Sequence, residues 1–155
     1  MSCSERKKGN TFFIDYEQSF GWQSVPVVKG SAHSGAYAEV INPEREFSIT
    51  FQSTFAQIEP ELPLPQISAD VWLYATKLQQ PVLLVLQVSD PSTDSTVIYQ
   101  AVEIQPAEVN GKWYNSSLKY RITSELKGNF LCKIFLWNPN KQNFLADDFT
   151  IAFEK

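Results

Sequence analysis

The sequence predicts an all-β protein, an antiparallel sandwich of about nine or ten strands. Three observations predict it. Short runs rich in Val, Ile, Phe, Tyr and Trp recur along the chain, divided by clusters of Gly, Pro, Asn, Asp and Ser. Several of these runs alternate with period two. No stretch carries a convincing helical period longer than two turns.

The elements follow in order. Residues 1–10 read as a disordered tail, and residues 11–155 as one sandwich domain. TFFIDYE is the first strand. FGWQSVPVVKGS holds a short strand around Val25–Val28. AYAEVI follows the turn SAHSG. EFSITFQS follows NPER, with Phe47, Ile49 and Phe51 expected on one side and Glu46, Ser48 and Thr50 on the other. The Pro-rich EPELPLP cannot pair regularly and leads into QISADVWLYA. PVLLVLQVSD is almost continuously apolar, as a central strand would be. DPSTD is a turn before TVIYQAVEI. KWYNSSLKYRI follows PAEVNG, and ITSELKG allows one short helical turn. FLCKIFLW and NFLADDFTIAFE, joined by NPNKQ, close the chain.

A chain of 155 residues fits one domain and can bury a sizeable core. Hydrophobic residues make up 43% and charged residues 19%, as in an ordinary globular protein. The net charge is −4 and the pI about 5.0. The one dense basic run is Arg6-Lys7-Lys8, so a nucleic-acid partner is not expected. Aromatics reach 14%, which suits strands and binding surfaces alike.

Two cysteines occur, Cys3 and Cys132. Cys132 lies in an apolar run and reads as a buried free thiol. Neither a disulfide framework nor zinc spacing is present. No apolar stretch approaches the ~18 residues of a membrane-crossing helix. Residues 1–11 are polar and do not form a signal peptide. Cys3 followed by SERKKGN looks like the mature start of a bacterial lipoprotein, a lipidated cysteine and then a tether, although the lipobox is absent. Such an anchor at Cys3 is the one membrane link the sequence suggests. It is silent on oligomeric state.

The residues give little support to catalysis. The single histidine, His33, sits in a Ser/Gly turn, and no G-x-S-x-G motif accompanies it. One His and two separated Cys do not make a catalytic metal site. The 17 acids contain no pair marked out for glycoside hydrolysis. The chain is therefore expected not to be an enzyme.

Two features stand out. Asp147-Asp148 opens the last strand, and alternation places Asp147 on the side of Phe149, Ile151 and Phe153. A carboxylate facing inward needs a partner: a cation, a backbone N–H group or an Arg. The other reading is a turn Asp facing water. The second feature is aromatic. Trp72 and Tyr74 lie opposite Val71 and Leu73. Phe135 and Trp137, with Lys133, lie opposite Cys132, Ile134 and Leu136. If the aliphatic sides form the core, the four aromatics line an outer sheet surface able to stack on sugar rings. Period two leaves open which side is core.

In this order FFIDYEQSFGW, GSAHSGAYAEV, SADVWLYA, GKWYNSS and IFLWNPNKQNFLADDFTI resemble the jelly-roll carbohydrate-binding modules found beside glycanases, within the galactose-binding-like superfamily. The resemblance covers residues 12–153. Such modules carry an aromatic–acid first strand, an A-x-S-G-x-Y turn and a final strand with paired Asp. The resemblance implies a jelly roll that binds an oligo- or polysaccharide, with Trp72, Tyr74, Phe135 and Trp137 as platforms and Lys133 and Asp70 as polar neighbours. It also implies a structural Ca²⁺ held by Glu17, Ser34 and Asp147, with Asp15 and Asp148 as alternates. The leading expectation is a glycan-binding module at the bacterial surface. A structural or protein-interaction domain of a surface lipoprotein, with no sugar ligand, is the alternative.

Overall fold

A computed structural model describes residues 5–8, 10–17, 26–58, 66–123 and 125–154. They form an antiparallel jelly-roll β-sandwich of two sheets. The seven-stranded sheet contains β1 (Glu5–Lys8), β2 (Thr11–Ile14), β3 (Val27–Lys29), β4 (Tyr37–Ile41), β6 (Gln66–Tyr74), β9 (Tyr114–Arg121) and β11 (Phe144–Glu154). The four-stranded sheet runs in the order β5 (Phe51–Thr54), β10 (Leu131–Trp137), β7 (Val82–Asp90), β8 (Ser95–Ile104). Two single helical turns, α1 (Phe55–Ile58) and α2 (Pro106–Val109), join strands. Pro106 sits in the first turn of α2, where its missing N–H costs nothing.

β11 organises the larger sheet. One edge pairs with β6 along most of its length. The other edge pairs first with β4, over Phe144–Ala146, and then with β2, over Phe149–Ala152. Between the two, a β-bulge shifts the register with β6 from Asp147–Trp72 to Thr150–Asp70.

Which faces are core is settled. Ile67, Ala69, Val71 and Leu73 of β6 are fully buried, as are Cys132, Ile134 and Leu136 of β10. The aliphatic sides meet between the sheets, and Trp72, Tyr74, Lys133 and Trp137 are left on outer faces. Cys132 is a free buried thiol whose pKa is pushed well up by burial. Cys3 lies outside the described residues.

Four expectations are corrected. Residues 5–8, expected in a disordered tail, pair antiparallel with β2, whose other edge is taken by β11. An unpaired edge offers N–H and C=O groups to any strand within reach. The described residues of ITSELKG contain no helix, and the helical turns fall at α1 and α2 instead.

Phe47 does not share a side with Ile49 and Phe51. It is 46% exposed, whereas those two and Ser48 are buried. The segment before β5 makes only an isolated bridge, Phe47–Trp137, and regular pairing begins at Phe51.

Asp147, finally, does not share a side with Phe149, Ile151 and Phe153. It pairs with outward-facing Trp72, and the bulge beyond it changes the parity of the strand.

Candidate functional site

The outer face of the smaller sheet is built by register. Lys133 stands opposite Gln52 on one neighbour and Gln87 on the other, and Gln87 stands opposite Tyr99. The result is one row across all four strands: Gln52, Lys133, Gln87, Tyr99. The next row toward the C-terminal end of β10 is apolar, with Phe135, Val85 and Ala101 in register. Phe47 leans edge-on over Phe135, ring centroids 5.4 Å apart and planes at 86°. Tyr99, 53% exposed, stands at the other edge on β8. Phe47 is bridged to Trp137, two rows beyond the Lys133 row, so it lies diagonally across the face from Tyr99. Phe47, Thr50, Gln52, Gln87, Lys133 and Phe135 enclose a groove of ≈ 250 Å³ between them.

Phe47 is exposed but its backbone is held on both sides. Glu39 of β4 is fully buried, and its Oε2 accepts from Arg45 Nη2 at 2.7 Å and from Ile49 N–H at 2.9 Å. Its Oε1 accepts from the Tyr16 hydroxyl at 2.9 Å. Between these anchors, Ser48 N–H donates to Leu136 O at 3.0 Å, and Ser48 Oγ accepts from Leu136 N–H at 2.9 Å. Asn138 N–H donates to Glu46 O at 2.7 Å, and Trp137 Nε1 donates to Glu46 Oε1 at 3.2 Å. Burial pushes the Glu39 carboxyl up, and the Arg45 guanidinium beside it pulls it back down. Burial, with Glu39 next to it, raises the Tyr16 phenol well above its ordinary range. Nothing in the sequence pattern marked Glu39 or Phe47; a Glu in the apolar AYAEVI and an Arg six residues on were the available signal.

The four expected platforms are not brought together. Phe135, Trp137 and Lys133 lie on the smaller sheet, whereas Trp72, Tyr74 and Asp70 lie on the outer face of the larger one, on the opposite side of the sandwich. There the His33 ring stacks on Trp72, with centroids 3.8 Å apart and planes within 14°. One face of Trp72 is thus already covered. Trp113 packs against both His33 and Tyr74. A groove of ≈ 360 Å³ opens beside Tyr74, between Val40, Thr76, Lys77, Asn143 and Leu145.

The expected metal residues do gather around the turn 31–36. Glu17 accepts the N–H groups of Ala36, at 3.0 and 2.9 Å, and of Tyr37, at 3.2 Å. Asp147 accepts His33 N–H at 2.9 Å and Ser34 N–H at 3.1 Å through Oδ2, and Asp148 N–H at 2.8 Å through Oδ1. Asp148 accepts Ser34 Oγ–H at 2.6 Å and lies 2.8 Å from His33 Nδ1. Asp15 accepts Glu17 N–H at 3.3 Å. Burial pushes Asp147 up to about 6, against the downward pull of the Ser34 N–H bond.

The turn directs hydrogen-bond donors at these acids, whereas Ca²⁺ is held by oxygens. Among the described residues, no group of three or more His, Cys, Asp or Glu side chains is placed to hold a metal ion. As arranged, the oxygens of Glu17, Asp147 and Asp148 are taken up by N–H and hydroxyl donors of the turn.

No protein-family model and no curated protein matches the sequence. Solved structures share the fold. The CBM22-2 xylan-binding domain from Paenibacillus barcinonensis Xyn10C has a TM-score of 0.56 at 12% identity, over 95% of this chain and 93% of that one. The CBM22-1 xylan-binding domain of the same protein has a TM-score of 0.54 at 16% identity, over 85% and 81%. A Family 16 Carbohydrate Binding Module-2 structure has a TM-score of 0.54 at 10% identity, over 81% and 83%. At these identities the likeness is one of fold.

Proposed function

We propose that the chain is a non-catalytic carbohydrate-binding module whose ligand lies across the outer face of the smaller sheet. One observation carries the reading. Phe47 is held outward over a groove that it shares with the polar row Gln52, Lys133 and Gln87, and that row ends in exposed Tyr99. Sugar rings present an apolar face of C–H groups and a rim of hydroxyls. Aromatic margins meet the first, and Gln52, Lys133 and Gln87 meet the second. Gln52 and Lys133 make no side-chain hydrogen bond among the described residues, so their donors are available. The shared fold with xylan-binding modules supports the same class of ligand.

The proposal includes a cell-surface location, with a lipid on Cys3 as the tether. It rests on the N-terminal sequence alone, and mass spectrometry of the native protein's N-terminal peptide tests it. Glycan-array and affinity-gel screening tests the binding reading itself. Retention of a polysaccharide that is lost in Phe47→Ala supports it, and silence across the array removes it.

A second reading, a protein-interaction domain, draws on the groove beside Tyr74 on the opposite face. Sedimentation that shows an assembly broken by Tyr74→Ser, with Phe47→Ala silent, would favour that reading.

A further inference from the structure

Lys133 is the only basic residue in the four strands of the smaller sheet. It sits on β10, a central strand, flanked on both sides and only half exposed. Three acids around that face accept hydrogen bonds from other groups. Glu46 accepts from Trp137 Nε1, Glu103 accepts from Gln105 Nε2 at 3.0 Å, and Asp90 accepts from Ser92 at the far end of β7. Lys133 makes no ion pair with any described residue. Its in-register neighbours, Gln52 and Gln87, are neutral. An ammonium with no ion-pair partner among the described residues thus stands at the centre of the candidate binding face. A partly desolvated charge of this kind gains most from an opposite charge brought by a ligand.

Resting on the carbohydrate reading above, we propose that the ligand is an acidic glycan. In it, a hexuronic acid residue stacks on the exposed Phe47 ring, which is backed by buried Phe135, and places its carboxylate on Lys133. The dimensions agree. Lys133 and Phe135 are two residues apart on one face of a strand, about 7 Å. That is the scale of a pyranose ring with its C6 carboxylate. The Phe47 ring takes the C–H face, and the amides of Gln52 and Gln87 lie on either side of the ammonium to meet the ring hydroxyls. Lys133 is then the residue that sets specificity, and Phe47 the one that supplies stacking affinity.

The test uses hexuronate-containing polysaccharides, each beside its carboxyl-reduced counterpart, which keeps the backbone and linkages but removes the charge. The expected result is binding to at least one acidic polymer, weakened about tenfold or more by carboxyl reduction. Raised salt should weaken it as well. Lys133→Met should lower affinity for the acidic polymer to that for the reduced one, and Lys133→Arg should keep the preference. Both variants should melt as the wild type does, because the side chain points away from the core.

Equal binding to the two forms, or an acidic preference that survives Lys133→Met, overturns the proposal and leaves the carbohydrate reading standing. Binding only to sulfated glycans overturns the carboxylate assignment. Silence on every glycan, acidic and neutral, overturns both readings.

Discussion

Phe47 stands edge-on to Phe135, with ring centroids 5.4 Å apart, and turns the rest of its ring to solvent. An exposed aromatic usually has a mobile side chain whose ordering costs binding energy. Here the backbone on either side is tied down, by Glu39 at Arg45 and Ile49 and by Leu136 at Ser48. The platform is largely ordered before any ligand arrives, which lowers the entropic cost of binding.

Phe47→Ala should therefore weaken glycan binding by about 0.5–1.5 kcal/mol, the scale of an aromatic stacking contact. Its effect on folding should stay within about 1 kcal/mol, since the ring is nearly half exposed. Tyr99→Ala should weaken binding in the same sense. Trp72→Ala should leave affinity unchanged, because Trp72 is on the opposite sheet and already stacked on His33. Calorimetric titration with the glycan found by screening checks all three. Loss of affinity in Trp72→Ala but not in Phe47→Ala would move the site to the larger sheet.

Arg45→Met should destabilise the fold by about 3–5 kcal/mol, because it strands a buried carboxylate. Its partner, Glu39, is fully buried. The double variant Arg45→Met, Glu39→Gln should recover part of the loss, since a neutral amide can still accept from Ile49 N–H and Tyr16. Chemical denaturation measures both. In either variant the segment 45–49 is held less firmly, so affinity should fall even where the protein remains folded.

The strands were legible because their patterns are local. In β6 and β10, alternation sorted the residues into two faces without saying which was core, and the ten segments read as strands from residue 11 onward all contain one. The pattern failed where the chain leaves regular geometry. At Phe47 an isolated bridge replaces pairing, and at Asp147 a bulge reverses parity. Both are settled by contacts between residues far apart in sequence, such as Ile49 with Glu39 and Asp147 with His33. Period two says which residues share a face, not which sheet a strand joins. That is why Trp72 and Trp137 read as one surface in the sequence and lie on two in the fold.

Asp147 gives the fold a pH dependence with a definite sign. Its carboxyl is pushed from 3.8 to about 6, chiefly by burial under the turn 31–36. As pH falls, the native state takes up this proton near 6, and the unfolded state only near 4. Between these values the native state holds more protons, so stability rises on acidification from pH 7 toward pH 4. The share of this one group is about 3 kcal/mol at most, from ~1.4 kcal/mol per unit. Asp147→Asn should flatten the dependence in that window. Denaturation midpoints measured across the window check it. A midpoint that falls steadily from pH 7 to pH 5 in the wild type would contradict it.

The turn that covers Asp147 depends on Gly35. It adopts φ +63°, and a β-carbon there would run into the Glu17 carboxylate. Gly35→Ala combines backbone strain with displacement of the side chain that accepts the Ala36 and Tyr37 N–H groups. The expected cost is about 2 kcal/mol or more, and it should shrink when Glu17 is first truncated to Ala, leaving the strain of a β-carbon at φ +63°. The same donors bear on calcium. With N–H groups directed at Glu17 and Asp147, the melting temperature should not change between added calcium and chelator. A calcium-dependent rise that disappears in Asp147→Asn would show that these acids can release their donors and close on a cation instead. The first and last strands would then be joined through the ion rather than through the turn.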